Sequence, residues 1–251
     1  MNRSKILSKP KQTALIAACI ASLGWSCTSQ AIDLGNGFGL DVTLTAMSDY
    51  RDNGISQTNG DPALQAEAVV QHESGIYVGI FTSNVDFGTK AYREDMYYAG
   101  ITLPFSEEIY LDTYIGRYEY PNEAYSDVNE YYAELGAYGF ILAYTLNFDQ
   151  RGHQPNSSNV SIGYSYELPY ETVLRARYGH ADVRVDAFWS NSGDSRQTFY
   201  DWDVTLAKNV AGVDVFASYI DTDLSEAECY SATGFDDICS ATVVFGVSKT
   251  F

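Results

Sequence analysis

The sequence lacks a long hydrophobic run. Its longest apolar stretch, residues 13–24, is shorter than the roughly 20 apolar residues that a membrane-spanning helix requires. No other segment approaches that length, and no window has a sustained helical period. The 251-residue chain is therefore not expected to contain a transmembrane helix, and its mean hydropathy of -0.20 indicates that its apolar residues are dispersed.

Histidine is scarce as well, with only His72, His153 and His180 in the chain. No serine neighbours them in a recognisable catalytic motif, and His72 is expected to lie far from the other two. Because nucleophilic catalysis needs serine, histidine and a carboxylate within hydrogen-bond reach, we predict no catalytic residues, no cofactor and no enzymatic activity.

Basic residues are few: 15 Lys and Arg against 33 Asp and Glu give a formal charge of -18. Residues 1–31 hold four of the basic residues and no acidic ones, so their removal leaves 11 against 33 and a charge of -22. Such a chain is not expected to bind nucleic acid or an anionic membrane surface through its charge. The charge favours cationic partners, or divalent ions that bridge to anionic neighbours.

Acidic residues in one predicted loop could ligate Ca²⁺ through oxygen. They are Asp221, Asp223, Glu226, Glu228, Asp236 and Asp237. No loop has the ligand spacing of a known calcium motif. We therefore expect these carboxylates to be hydrated by solvent, and we predict no bound metal.

The N-terminus has the features of a secretory signal peptide. Four basic residues within positions 3–11 precede the apolar residues 13–24, and cleavage is predicted after Ala31. This leaves residues 32–251 as one domain with two cysteines, Cys229 and Cys239. A close, isolated pair in an exported chain predicts one disulfide that closes a loop.

The sequence contains, instead of helical patterns, a repeated alternation with a period of two residues, which predicts β-strands. In residues 40–45 Leu and Val alternate with Asp and Thr, and in residues 174–178 Leu, Ala and Tyr alternate with Arg. About twelve such segments occur, each roughly ten residues long, the length that a tilted strand needs to cross a bilayer. The faces of residues 76–84 and 213–220 are ambiguous.

Tight links alternate with longer polar ones along the chain, as expected of an outer-membrane barrel with its turns in the periplasm and its loops outside. We therefore predict an all-β fold, a transmembrane antiparallel up-and-down β-barrel of about twelve strands in the bacterial outer membrane, in contact with its lipid and lipopolysaccharide. Because backbone groups in lipid must all be paired, the barrel must close, and the C-terminal strand is predicted to form the seam. In this class of protein a terminal aromatic residue serves as the signal that the barrel assembly machinery recognises, and Phe251 is predicted to be that signal.

Aromatic residues are abundant, with 21 Tyr, 12 Phe and 3 Trp. Such side chains suit a membrane–water boundary. Five of them near strand ends are predicted to form the aromatic girdle on the apolar face: Tyr97, Tyr131, Tyr166, Tyr200 and Trp202.

The polar faces of the strands predict a charged lumen. The candidate lumen or selectivity residues are Arg51, Glu67, Asp112, Glu130, Glu134, Glu167, Arg175, Arg177, Asp201 and Asp203. The interior could be a narrow aqueous path whose transverse field sorts small polar solutes, with cations preferred because acid is in excess. Alternatively, acids and arginines lock neighbouring strands together in a plugged structural barrel, or the protein is a surface receptor or adhesin acting through its acidic loops. The oligomeric state stays open.

Several short motifs resemble those of the TorF-type porin family, a group of proteobacterial exported proteins of uncharacterised function. They are Ser48–Arg51 (SDYR), Gly54–Gln57 (GISQ), Pro62–Gln65, Ser74–Gly79 (SGIYVG), Ser83–Asn84, Tyr118–Pro121 (YEYP), Asn129–Glu134 (NEYYAE) and Tyr200–Val204 (YDWDV). The resemblance covers nearly the whole mature chain and departs at Asn53, where the family is expected to have arginine. It implies an outer-membrane barrel and a porin, and no established substrate.

Overall fold

The structure is a computed structural model that describes residues 31–150 and 155–251. The predicted signal peptide lies outside the described residues except for Ala31, and His153 lies outside them too. Among the described residues, no helix is long and apolar enough to span a membrane.

Most of the described chain is β-strand. The strands are β1 (Ile32–Gly35), β2 (Phe38–Met47), β3 (Arg51–Asp52), β4 (Ile55–Ser56), β5 (Ala63–His72), β6 (Ile76–Asn84), β7 (Arg93–Pro104), β8 (Ile109–Glu119), β9 (Val128–Ala137), β10 (Phe140–Phe148), β11 (Ser157–Leu168), β12 (Thr172–Asp182), β13 (Phe188–Trp189), β14 (Ser195–Arg196), β15 (Thr198–Val210), β16 (Val213–Thr222) and β17 (Thr242–Thr250). A 3₁₀ turn at Ala124–Ser126 and one helix, α1 (Glu226–Thr233), complete the described elements.

Twelve long strands form one closed antiparallel barrel: β2, β5 to β12 and β15 to β17. Each pairs with the next long strand, and β17 pairs with β2, so that Gly246 lies opposite Met47 and Thr250 opposite Thr43. The predicted barrel, its strand number and its closure by the C-terminal strand are confirmed. The Phe251 amide donates to the Val42 carbonyl at 2.9 Å and extends this seam, while its role in assembly stays a prediction.

The two faces of each strand differ as the alternation predicted. Leu44, Ile162 and Phe245 have half or more of their surface exposed on the outside of the barrel, whereas Asp112 and Asp201 are fully buried inside it. Apolar side chains on the outside suit contact with lipid, because they lose nothing by leaving water. The ambiguous segment 76–84 turns its Tyr and Phe inward and its Ile and Val outward. In residues 213–220 the buried Phe216 faces inward.

The two ends of the barrel have different connections. At one end, called the short-turn end, the strands are joined by residues 73–75, 105–108, 138–139, 169–171 and 211–212. At the other, called the long-loop end, they are joined by residues 48–62, 85–92, 120–127, 149–156, 183–197 and 223–241. The first of these long loops contains the β3–β4 hairpin, the fifth contains β13 and β14, and the last contains α1.

A disulfide joins Cys229 of α1 to Cys239, with their Cα atoms 5.9 Å apart, as the spacing of the pair predicted. Both cysteines are buried and pack with Ile238, and Ile55 of the β3–β4 hairpin packs against the same cluster. The helix begins with a capping box in which Ser225 and Glu228 satisfy each other's backbone amides. The loop that carries α1 is therefore a folded unit beside the first long loop.

Tyrosine lies on both faces of the barrel, whereas the sequence predicted it only for the girdle on the outer face. The five predicted girdle residues lie on the outside. Six other tyrosines point inward: Tyr77, Tyr98, Tyr110, Tyr114, Tyr118 and Tyr132. The Tyr98 ring lies across Gly79 of the adjacent strand, where any Cβ would overlap it. Much of the ring content therefore packs the lumen wall.

Candidate functional site

The barrel interior contains a cavity of about 1160 Å³. It extends from Asp52, at the long-loop end, to Ser106 and Glu108, in a turn at the short-turn end. Its lining includes inward residues from β2 and from all the barrel strands between β5 and β17. The lumen is thus a candidate path along the barrel axis.

One side of the lumen, formed by the inward faces of β5 to β9, pairs tyrosines with carboxylates and is called the tyrosine wall. Its hydroxyls donate to carboxylate oxygens in these pairs: Tyr98 to Glu67 at 2.6 Å, Tyr77 to Asp112 at 3.0 Å, Tyr114 to Glu130 at 2.5 Å, Tyr110 to Glu134 at 2.6 Å and Tyr132 to Glu134 at 2.5 Å. A buried carboxylate without a donor would be costly. These hydroxyls supply the donors, and because a phenol is neutral they do not cancel the charge of an ionised carboxylate.

The inward faces of β12 and β15 form the arginine wall. Arg177 lies opposite Asp203 in the strand register and donates to it through Nε at 2.8 Å. Its Nη2 donates to Asp201, which also accepts from Asn159 at 3.3 Å. Because one guanidinium lies between two carboxylates, part of the negative charge on this side is neutralised locally.

Several inward positions on β2 and on β15 to β17 carry short hydroxyl side chains. Pairs of them hydrogen-bond across adjacent strands: Thr43 with Thr250 at 2.9 Å, Thr45 with Ser248 at 2.9 Å and Thr205 with Ser218 at 2.7 Å. Short side chains leave room, and all six line the cavity. These hydroxyl side chains therefore form part of the cavity lining together with residues of the two walls.

The β3–β4 hairpin folds inward at the long-loop end, and sequence reasoning did not anticipate it. Its turn is Asn53–Gly54, with both residues at positive φ (46° and 80°), as a two-residue type I′ hairpin requires. Asn tolerates this conformation better than a long or branched side chain, which suits Asn53 to the turn. The Asn-Gly pair is a strong hairpin signal that could have identified this element from the sequence.

Asp49 organises the base of the hairpin. It accepts hydrogen bonds from Arg51 Nε at 2.6 Å, from Ser56 Oγ at 2.5 Å and from Thr58 Oγ1 at 3.2 Å. Arg51 also donates at 2.9 Å to the carbonyl of Gly54 and to that of Ser240 in the loop that carries α1. The hairpin is therefore fastened internally and to the disulfide-closed loop.

The structure places nine of the ten predicted lumen residues on inward positions of barrel strands. They are Glu67, Asp112, Glu130, Glu134, Glu167, Arg175, Arg177, Asp201 and Asp203. The four on β5, β8 and β9 belong to the tyrosine wall, the four on β12 and β15 to the arginine wall, and Glu167 lies near the short-turn end. Their influence on selectivity stays a prediction.

Arg51, the tenth, is on the hairpin. Its side chain is 5% exposed, and its guanidinium hydrogen-bonds within the first long loop and to Ser240. Arg51 also borders the cavity, but its observed contacts hold the loop.

Sequence reasoning missed further acidic lining residues. Glu94 is 3% exposed on the inner face of β7 and accepts hydrogen bonds from Tyr50 at 3.2 Å and Tyr120 at 2.8 Å. Its face also carries Met96 and Tyr98, which obscure the polar alternation. Asp52, on the hairpin, also lines the cavity.

The acidic loop residues are partly paired with arginine. Arg196 donates to Asp223 at 2.7 Å and to Glu228 at 2.7 Å. Partial burial alone would raise the pKa of Glu228, but hydrogen bonds from Arg196 and Ser225 outweigh it and lower that pKa. Within residues 31–150 and 155–251, no group of three metal-ligating side chains is assembled.

Residues 32–251 match the protein family described as "Bacterial protein of unknown function (Gcw_chp)". The chain belongs to the Gcw_chp family. The TorF-type name stays a prediction for this Gcw_chp protein. Among curated proteins, none matches the sequence.

Solved structures of porins have the same fold as this Gcw_chp protein. The KdgM porin in complex with disordered oligogalacturonate superimposes with a TM-score of 0.52 at 6% identity, over 84% of this chain and 98% of that one. The NanC porin gives a TM-score of 0.52 at 8% identity, with the same coverage. At such low identity the likeness shows a porin-like barrel fold.

Proposed function

We propose that this Gcw_chp protein is a narrow channel of the bacterial outer membrane that passes small polar solutes and prefers cations. The observation that carries the proposal is the cavity of about 1160 Å³, whose lining reaches from the first long loop to a turn at the opposite end of the barrel. The apolar outer surface supports a membrane location, with the short turns in the periplasm and the long loops outside.

The charge of the lining supports the cation preference. Three arginines line the cavity: Arg51, Arg175 and Arg177. The acidic lining residues are Asp49, Asp52, Glu67, Glu94, Glu107, Glu108, Glu130, Glu134, Glu167, Asp203 and Asp214. An excess of fixed negative charge along a narrow path attracts cations and repels anions. A polyanion such as the oligogalacturonate in the KdgM complex would meet net negative charge in this lumen.

Reconstitution in planar bilayers tests the proposal. With a KCl gradient across the bilayer, the reversal potential of single channels should have the sign of cation preference, and a clear anion preference would overturn the charge assignment. Liposome swelling with small sugars and amino acids tests solute passage directly. Heat-modifiable mobility on a gel shows whether the barrel is folded. If folded protein gave neither conductance nor swelling, the proposed channel function would be wrong.

A plugged structural barrel is the second candidate. The inward-folded hairpin and the buried Arg177–Asp201 contact favour it, because both occupy lumen space. The swelling assay separates the two candidates, since a plugged barrel would exclude every solute.

A further inference from the structure

We propose that the β3–β4 hairpin is a fixed constriction at the long-loop end of the lumen and that Asp52 is its charge-selecting residue. This inference rests on the proposed channel function and names the part of the path that selects solutes.

The hairpin reaches across one side of the barrel mouth. At its tip, a Cβ on Gly54 would overlap Thr222 of β16 and lie 3.3 Å from Cβ of Asp201 on β15. At its base, the Tyr50 ring lies 6.5 Å from the Phe81 ring of β6, and the Gln57 carbonyl accepts from the Asp86 amide at 2.8 Å. The hairpin thus contacts the barrel on both sides of the β2–β17 seam and narrows the remaining opening.

Three kinds of contact fix the hairpin in this position. The buried Asp49–Arg51 ion pair holds its base, and the Ser56 amide donates to the Ile238 carbonyl at 3.0 Å. Ile55 packs against two apolar clusters, one containing Phe188 and the other the Cys229–Cys239 disulfide. Breaking a buried ion pair leaves an uncompensated charge, so the hairpin is expected to stay in place while solutes pass.

Asp52 lies where a passing solute meets charge from both sides. Its side chain is exposed and lines the cavity. Asp201 and Arg177 act on it electrostatically from the arginine wall. On the opposite side of the barrel it acts on Glu94 and Glu130.

The ionisation of Asp52 supports this role. Although its side chain reaches the cavity water, enclosure within the barrel restricts its hydration. This loss of hydration, together with the charge of Asp201, outweighs the attraction of Arg177 and raises the pKa of Asp52 to about 6. The carboxylate is therefore mostly charged at pH 7 and mostly neutral at pH 5. The charge of Asp52 also acts on the Tyr50 and Tyr120 hydroxyls.

The variant Asp52→Asn tests the proposal, because it removes one charge and keeps the size of the side chain. At pH 7 the cation-to-anion permeability ratio should fall at least about threefold, with single-channel conductance little changed. Asp61→Asn is the matched control: Asp61 is exposed in the same loop outside the cavity lining, and its loss should leave the ratio as in the parent protein. Acidification from pH 7 to pH 5 should lower the ratio of the parent by more than that of Asp52→Asn.

Two outcomes separate this inference from the channel itself. A parent protein that does not conduct would overturn the proposed function. A conducting parent with equal ratios in Asp52→Asn and Asp61→Asn would overturn the role of Asp52 alone. Shortening the hairpin by deletion of residues 52–55 should raise the conductance of folded barrels, and an unchanged conductance would overturn the constriction.

Discussion

The tyrosine wall and the arginine wall both contain buried carboxylates, but these carboxylates accept hydrogen bonds from different donors in the two walls. On the tyrosine wall, neutral hydroxyls such as those of Tyr98 and Tyr114 donate to Glu67 and Glu130. On the arginine wall, the cation Arg177 provides the donors. Both arrangements meet the need of a buried carboxylate for hydrogen bonds.

The difference matters for the electric field of the lumen. A phenol hydrogen bond stabilises a carboxylate without cancelling its charge, whereas a guanidinium both donates and cancels. The tyrosine wall therefore contributes to the cavity lining carboxylates that accept hydrogen bonds from neutral hydroxyls, among them Glu67, Glu130 and Glu134. In the sequence, tyrosine suggested only a membrane girdle. In the structure, its hydroxyls donate hydrogen bonds to the carboxylates that line the lumen, so that several carboxylates can be buried close together.

The largest effect is expected from Arg177→Gln on the arginine wall. Removal of the cation leaves Asp201 and Asp203 buried without compensation, so the free energy of unfolding should fall by about 3–5 kcal/mol. Urea unfolding followed by the loss of heat-modifiable mobility measures it. Addition of Asp203→Asn to this variant should restore part of the loss, because it removes one of the two uncompensated charges.

The control for Arg177 is Arg93→Gln, which breaks an exposed ion pair with Asp95 at 2.8 Å. Exposed ion pairs contribute little, so its unfolding midpoint should stay near that of the parent. Equal losses in the two variants would contradict the importance of burial on the arginine wall.

A smaller effect is expected from Tyr98→Phe on the tyrosine wall. Glu67 would lose its hydroxyl donor at 2.6 Å, and an unsatisfied buried group costs about 1–3 kcal/mol. The comparison variant is Glu67→Gln, whose amide oxygen still accepts from Tyr98. It should unfold close to the parent midpoint but conduct with a weaker cation preference. If Glu67→Gln kept the full preference, the carboxylate of Glu67 would not contribute to the selection of cations.

The barrel and its faces could be predicted from sequence because a strand of period two dictates which side chain points where. Glu67, Asp112 and Arg177 were assigned inward positions by this rule, and all three lie inside. The rule fails where the inward face is apolar, as at Tyr77 and Phe216, because periodicity then does not distinguish lipid from lumen.

Partners across the lumen could not be predicted in the same way. Tyr77 on β6 and Asp112 on β8 meet over an intervening strand, a contact that depends on the curvature of the closed barrel. The hairpin turn at Asn53–Gly54 has a local signal, but its inward position depends on Ile238 and Ser240, nearly 200 residues away in the chain. Local sequence patterns therefore predict the barrel strands, whereas long-range packing determines where the hairpin lies.

The smallest effect is expected at the partly exposed ion pair of the long loops, where Arg196 pairs with Glu228. Because the pKa of Glu228 is lowered in the folded loop, the pair stabilises above the ordinary carboxyl pKa, and this contribution is lost as pH falls through the lowered value. The contribution should be below about 1 kcal/mol, because the pair is partly exposed and screened by solvent.

Trp189, whose amide donates to Ser231 of α1 at 2.8 Å, reports on this region by fluorescence in a Trp202→Phe background. In the parent protein, the urea concentration at the midpoint of the fluorescence change should be lower at pH 3 than at pH 6. Arg196→Gln should reduce the difference between these two midpoints. If the pH dependence were as large in Arg196→Gln as in the parent, carboxylates other than Glu228 would cause it. Ion pairs of arginine with carboxylates would then contribute to stability only where both side chains are buried inside the barrel.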